Sequence, residues 1–412
     1  MNKGKIVSLN SFIYFLFLLT VAFYSFKNLN GLLPLNLSHL ILLMLLPFCI
    51  CIFLTKAKVE RLFVTINLFV LFFVIVSIFY GFNEVNDYIN IFIFIFVSYV
   101  VVSNQEQSKL IKWYLKLVFI LVFMGYVQFL SSFITPEWFY SFSFLGKGNV
   151  NITFSSGLLR VFSLSSEPAS FAGMLLPAIG LSIARLANTV NIDKYLSKKF
   201  ALCILIIVVL TFSSVAYFYL ISFFLFFIFL SGQVSKFFKS FLFCFMLLVF
   251  AGMTQVHSVQ ERYDSVIHAY EDKGDSKINN LSTFAIYSNI LVAEKVLKNY
   301  PCLGRGLFSH EHSYNEYIYD VFPVSFVRME LNKKDASSLY IRLLSEAGFL
   351  GFISVMVFFF LFFLNGMKTG KSIISSVFLL SVVLIGVRSG TYNYSLIWFY
   401  LFTANYFRKC EL

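Results

Sequence analysis

Leu62-Phe-Val-Thr-Ile-Asn-Leu-Phe-Val-Leu-Phe-Phe-Val-Ile-Val-Ser-Ile-Phe-Tyr80 is an unbroken run without a charge. Wound as an α-helix it would reach about 28 Å, close to the hydrocarbon thickness of a bilayer. Leu, Ile, Phe and Val each favour insertion by about 0.3–0.6 kcal/mol at a helix centre. The rest of the chain follows suit. Of its 412 residues 59% are hydrophobic, 55 are Phe, and only 13% are charged, against about 25% in soluble domains. A transmembrane β-barrel would show short alternating segments in place of long apolar blocks. The net charge of +12 does not point to nucleic acid, because the basic residues sit in short clusters between apolar blocks. Of the six cysteines, at 49, 51, 203, 244, 302 and 410, only Cys302 falls in an expected external loop. No disulfide framework or zinc spacing is present.

Working outward, helices are expected at roughly 10–26, 37–55, 62–81, 89–103, 113–135, 166–186, 200–212, 214–231, 241–255, 341–364, 372–388 and 391–407. The chain thus reads as an all-α polytopic membrane protein of about twelve transmembrane helices. Helices 1–5 occupy 1–135 and helices 6–9 occupy 166–255, separated by an external loop at 136–165. A large external loop at 256–340 precedes helices 10–12 and the C-terminal tail at 341–412. With connections numbered from the inside, Lys56/Arg61, Lys109/Lys112, Lys198/Lys199, Lys236/Lys239, Lys368/Lys371 and Arg408/Lys409 all fall on one side. The positive-inside rule makes that side, and both termini, cytoplasmic. The N-terminal apolar run lacks a small-residue cleavage site and reads as a retained signal anchor. The run 200–231 reads as two short helices turning near Thr211–Ser214, since one long helix would invert every later basic loop. Thr135-Pro136-Glu137 reads as a helix start. Within the large loop, Leu281 to Asn299 reads as a helix with Ile286, Ile290, Ala293, Leu297 and Tyr300 on one face, ended by Pro301.

The residues that could carry chemistry gather on the outer side. Arg160 precedes Glu167-Pro168, where the chain re-enters the membrane. An acid followed by Pro has an ordinary meaning at a helix start. Its functional meaning is a carboxylate at the membrane face, where low dielectric suits it to act as a base. Gly304 and Gly306 flank Arg305, a spacing that suits a tight turn presenting a guanidinium. His310 and His312 would share a face in a strand and could meet a metal, but no third ligand is evident, and neither a metal nor another cofactor is expected. Arg342 and Glu346 stand four apart on one helix. They either pair or serve a site, the default reading for ionisable groups in a membrane. Arg328, Arg388 and Tyr340 are further candidates. Several arginines at a membrane surface suit a pyrophosphate, whose oxygens match their planar forks. The chain has no Asp-x-Asp, and the first outer loop, 28–38, has no acid, which disfavours a metal-dependent glycosyltransferase. A transporter is the competing class, although its charges would be expected near the midplane.

Arg160-x6-Glu167-Pro168, Leu210-Thr-Phe-Ser213, Pro301-x-x-Gly304-x-Gly306 and Leu343-Leu-x-Glu346-x-Gly348-x-x-Gly351 occur in that order. The set resembles the bacterial O-antigen polymerase and ligase superfamily, by motif over about 150–351 and by topology over the whole chain. The resemblance implies a GT-C-like, metal-independent glycosyltransferase of the bacterial inner membrane, acting on its periplasmic face. A polymerase moves a growing glycan from undecaprenyl pyrophosphate to the non-reducing end of the next undecaprenyl-pyrophosphate-linked oligosaccharide repeat. A ligase moves the finished glycan to lipid A-core. Ligases carry a His just before the Leu-Leu-x-Glu-x-Gly segment. Here Asp335-Ala-Ser-Ser-Leu339 stands there, which favours the polymerase unless His310 or His312 folds into that place. The resemblance assigns Arg160, and by region Arg305 and Arg342, to the donor pyrophosphate. It leaves Glu167 as the base or as the residue that orients the arginines. The bilayer and a polysaccharide chain-length regulator are the implied partners; a flippase for the same lipid-linked unit is the remaining alternative.

Overall fold

A computed structural model describes residues 12–20, 37–56, 59–142, 152–155, 157–230, 234–254, 281–321, 330–368 and 373–409. A helix lies at each apolar block named above. In chain order they are α1 (12–20), α2 (Leu37–Lys56), α3 (Arg61–Phe79), α4 (Val85–Ser103) and α5 (Gln107–Ser131). After the single turn α6 (Glu137–Tyr140) come α7 (Pro168–Met174), α8 (Leu176–Leu186), α9 (Lys198–Val209) and α10 (Ser214–Leu225). The set ends with α11 (Lys236–Thr254), α12 (Leu281–Asn299), α13 (His310–Val321), α14 (Leu339–Lys368), α15 (Ile373–Arg388) and α16 (Ser395–Lys409). Among the described residues the only strands are the two-residue pair β1 (Phe154–Ser155) and β2 (Leu158–Leu159), antiparallel.

The protein is an all-α membrane protein. Among the described residues, five helices are long and apolar enough to cross a bilayer, within α2, α3, α4, α5 and α14, and the bent pair α7–α8, taken as one span, makes a sixth. The expected count of twelve is thus larger than helix length alone supports. The 200–231 run does break as expected: Leu210 to Ser213 separate α9 from α10, and Phe212 adopts a left-handed φ of 43°. Pro136, one residue later than expected, takes the cap position of α6.

Two membrane helices are broken, and each break is chemically repaired. Between α7 and α8 the axis turns by 57°. Pro177 has no N–H to give Gly173, whose carbonyl instead accepts from the Tyr400 hydroxyl at 3.2 Å. Ala178 donates to the Tyr114 hydroxyl at 3.2 Å, and both phenols bond the freed Met174 carbonyl, at 3.2 and 3.0 Å. No water is present in hydrocarbon to satisfy such groups, so the tyrosines must.

The second break lies at Gly348 in α14, with φ 62° and ψ −167°. It severs the helical bonds from Phe349 to Ser345 and from Leu350 to Glu346. The stretch 301–306 supplies both halves. Arg305 and Gly306 donate to the carbonyls of Ser345 and Glu346 at 3.3 and 2.7 Å, and Phe349 and Leu350 donate to those of Pro301 and Cys302 at 2.9 and 3.0 Å. Gly304 is needed here because a Cβ would meet the Glu346 carbonyl carbon at 2.5 Å. The Pro301–Gly306 and Leu343–Gly351 motifs are therefore one structural unit.

Polar contacts gather at two ends. At one, Glu60 binds Lys409 and Asn405, both at 2.7 Å, and Tyr406 bonds the Gln105 carbonyl. At the other, Glu84 meets His312 at 3.0 Å, Asp87 accepts from Asn393 at 3.0 Å, and Glu167 faces Arg388. In α12 the core face is Ala285, Asn289, Val292 and Val296, whereas Ile286 and Ile290 of the expected face are exposed.

Candidate functional site

A polar cleft of about 290 Å³ opens above the α7–α8 bend, lined by Glu167, Ser170, Tyr219, Asp335, Arg388 and Thr391 among others. Glu167 precedes Pro168 and occupies the cap position of α7, yet its carboxylate caps no backbone N–H. Its Oε1 accepts from the Ser170 hydroxyl at 3.1 Å and lies 3.7 Å from Arg388 Nη2. The ordinary helix-start explanation therefore leaves its side chain unaccounted for. At 42% exposure its side chain is partly open to the cleft.

Arg160 lies within electrostatic range of Glu167, on a strap tied to α5 and to the α9–α10 turn. The buried Gln128 amide oxygen accepts from the N–H groups of Phe162 and Ser163 at 2.9 and 2.8 Å, and Val161 donates to the Leu210 carbonyl at 3.2 Å. The Arg160 guanidinium donates to Thr153 Oγ1 at 3.3 Å, and among the described residues it makes no ion pair within 4 Å. Partial burial weakens its hold on a proton, and the nearby Glu167 charge opposes that. An arginine without a close anion is an available phosphate binder.

The other expected residues are used elsewhere. Arg342 is buried, with Nε 2.8 Å from Glu346 Oε1 and Nη1 3.0 Å from the Gly390 carbonyl. Its faces lie against Phe308 and Tyr392. Its charge is paired internally, and it is not among the residues that line the cleft. Arg305 is likewise enclosed, not presented. Nη1 bonds Glu316 Oε2 at 2.6 Å and Ser313 at 3.3 Å, inside rings from Phe82, Tyr300 and Tyr317. Tyr340 gives its hydroxyl to the Val383 carbonyl at 2.6 Å, tying α14 to α15. Arg328 lies outside the described residues.

His310 and His312 open a helix, not a strand, so residues two apart point different ways. His312 is exposed and stacked on Phe82. His310 is fully buried between Ser345 Oγ at 2.7 Å and Asn289 Oδ1 at 2.8 Å, and its N–H donates to Glu346. No group of three metal-ligating side chains occurs among the described residues. Burial, helped by Arg342, lowers the His310 pKa to about 3, so the ring is neutral. A depressed pKa gives stability that is complete above the unfolded value of about 6.5 and is lost as pH falls toward 3. At pH 5 the loss should be about 2 kcal/mol. Thermal unfolding of the wild type should thus fall between pH 7 and 5 more steeply than that of His310→Gln. Equal slopes would show that the ring does not titrate in this range.

Asp335 is the cleft residue that sequence reasoning passed over as a candidate. It sits in a turn where Asn332, Ala336 and Ser337 all adopt left-handed φ, of 56°, 54° and 60°. No local signal marks it, because none of the three is a glycine. The chain matches no protein-family model, and no curated protein matches it.

Proposed function

We propose that the chain is a membrane glycosyltransferase of the O-antigen polymerase kind. Its cleft would pass a growing glycan from a lipid pyrophosphate to the next lipid-linked repeat unit. The observation that carries this reading is the meeting of Glu167 with Arg388, and with Arg160 nearby, in a polar cleft let into an apolar helical body. In glycosyl transfer negative charge grows on the departing pyrophosphate. Fixed guanidinium groups stabilise that charge without having to reorganise. Arg160 and Arg388 take this role, and Glu167 holds Arg388 toward the cleft. The ligase reading needs an available histidine at the Leu343–Gly351 segment. His310 reaches that segment, but both its ring nitrogens are engaged, which weighs against it.

Deleting the gene in its native host and running the lipopolysaccharide on a gel tests the reading. Lipid A-core carrying one repeat unit and no ladder is the expected result. Bare lipid A-core would reject it, with accumulated lipid-linked polymer pointing to a ligase and unexported single units to a flippase. Complementation with Arg160→Ala should restore roughly a hundredth of the ladder or less, the usual effect of losing one transition-state donor. Glu167→Gln should cost less, because Ser170 still fixes its side chain. A full ladder from Arg160→Ala would remove that residue from the pyrophosphate site.

A further inference from the structure

Glycosyl transfer needs a group that takes the proton of the attacking hydroxyl, and the cleft offers two carboxyls. Glu167 is tied to an arginine and a serine, both on the same oxygen, and its side chain is 42% exposed. Asp335 faces the same cleft in a different state. Among the described residues its carboxyl takes a single hydrogen bond, from the Ser337 N–H to Oδ1 at 3.0 Å. That leaves Oδ2 for a ligand.

The backbone around Asp335 is fixed from several directions. Asp335 and Ala336 both donate to the Asn332 carbonyl, at 3.2 and 2.8 Å, and the Asn332 amide bonds Ser337 Oγ at 3.0 Å. On the far side the turn packs so closely on Gly390 that a Cβ there would overlap the Asp335 carbonyl oxygen. Three non-glycine residues held left-handed in one turn cost stability, and such strain persists where the surroundings over-determine it. Here it holds one carboxyl at the cleft that Glu167 and Arg388 also line.

We infer that Asp335 is the general base of this site, accepting the proton of the incoming sugar hydroxyl. The assignment rests on the glycosyl-transfer reading above. The O–H proton passes to Asp335 Oδ2 as the hydroxyl oxygen bonds to the anomeric carbon of the donor glycan. The bond from that carbon to the pyrophosphate oxygen breaks, and its electron pair leaves with the lipid pyrophosphate, whose charge Arg388 and Arg160 meet. The groups facing Asp335 are Arg388 and Arg342, which favour its charged form, Glu167, which opposes it, and the Ser337 N–H. Burial outweighs the cations and raises its pKa above the ordinary aspartate range, in the direction that makes a carboxylate a more effective base.

The test uses the purified full chain with undecaprenyl-pyrophosphate-linked repeat units, followed by polymer formation against pH and by thermal unfolding. Asp335→Asn should lower kcat roughly a hundredfold or more with little change in KM, and its melting temperature at neutral pH should not fall. Asp335→Glu should keep partial activity with the acidic limb of its pH profile displaced. Wild-type polymerisation with an Asn variant within about threefold of it would overturn the assignment and leave the polymerase reading standing. If Asp335→Asn fails to fold, the Glu variant decides, and an undisplaced acidic limb overturns the assignment. No polymer from the wild type would sink both.

Discussion

Glu346→Ala should lower the stability of the protein by about 3–5 kcal/mol, because it leaves the Arg342 guanidinium charged and buried without its partner. Glu346 Oε1 accepts from Arg342 Nε at 2.8 Å and from the His310 N–H at 3.2 Å. Neither donor has another acceptor within the described contacts to replace it. Thermal unfolding in detergent, with size-exclusion chromatography to score folded material, reads the effect. The double variant Arg342→Met/Glu346→Leu gives the sharper result. Replacing a whole buried ion pair by apolar side chains is often neutral, so most of the lost stability should return. Activity should not. Arg342 Nη1 is the donor that anchors the Gly390 carbonyl, and the segment beyond it brings Thr391 and Tyr394 to the cleft. A Glu346→Ala protein that melts like the wild type would refute the pair as the keystone of this region.

Gly390→Ala is expected to damage the same place by steric means. The added methyl would overlap the Asp335 carbonyl oxygen and stand 3.2 Å from the Ser338 nitrogen. Neither obstacle is a flexible side-chain end, so backbone must move. Overpacking of this kind costs about 1–3 kcal/mol, and displacement of a reacting group by about 1 Å can cost roughly a hundredfold in rate. On the proposed polymerase reading, polymer yield should therefore fall much further than the melting temperature. Gly386→Ala, whose methyl would come no closer than 3.4 Å to Leu339 and Tyr340, is the matched control and should behave as wild type. Equal activity in the two variants would show that the cleft tolerates movement of the Asp335 turn.

The helices were legible in the sequence because their signal is local. Blocks such as Leu62–Tyr80 declare themselves by length and apolarity. The turn at Thr211–Ser214 could be placed because basic loops on either side had to share one face. The candidate site was legible only in part. Glu167 and Arg388 could be listed as outer-end charges, and the structure brings them together. Whether an arginine is free or spent is a long-range property. Arg305 is taken by Glu316 on the next helix; Arg342 pairs with Glu346, as their spacing allowed, but its other bond goes to a carbonyl far along the chain. His310 looked like one of a pair, but its partners, Asn289 and Ser345, lie on two other helices. Asp335 was unreadable for a similar reason. Its turn is left-handed without glycine, held by packing against Gly390 that no local pattern announces.

The break at Gly348 bears on how the chain is made. Residues 339–347 form a helix of about 14 Å, less than half a bilayer, and its severed bonds are matched only by 301–306. Synthesis runs from the N-terminus, so that complement leaves the ribosome first. The segment holding it belongs to the polar stretch that precedes α14. The backbone bonding of the last long apolar segment is therefore complete only once that earlier stretch has packed against it. Its maturation is a docking of two parts of the chain, and the order of synthesis makes 301–306 the part that waits for the other.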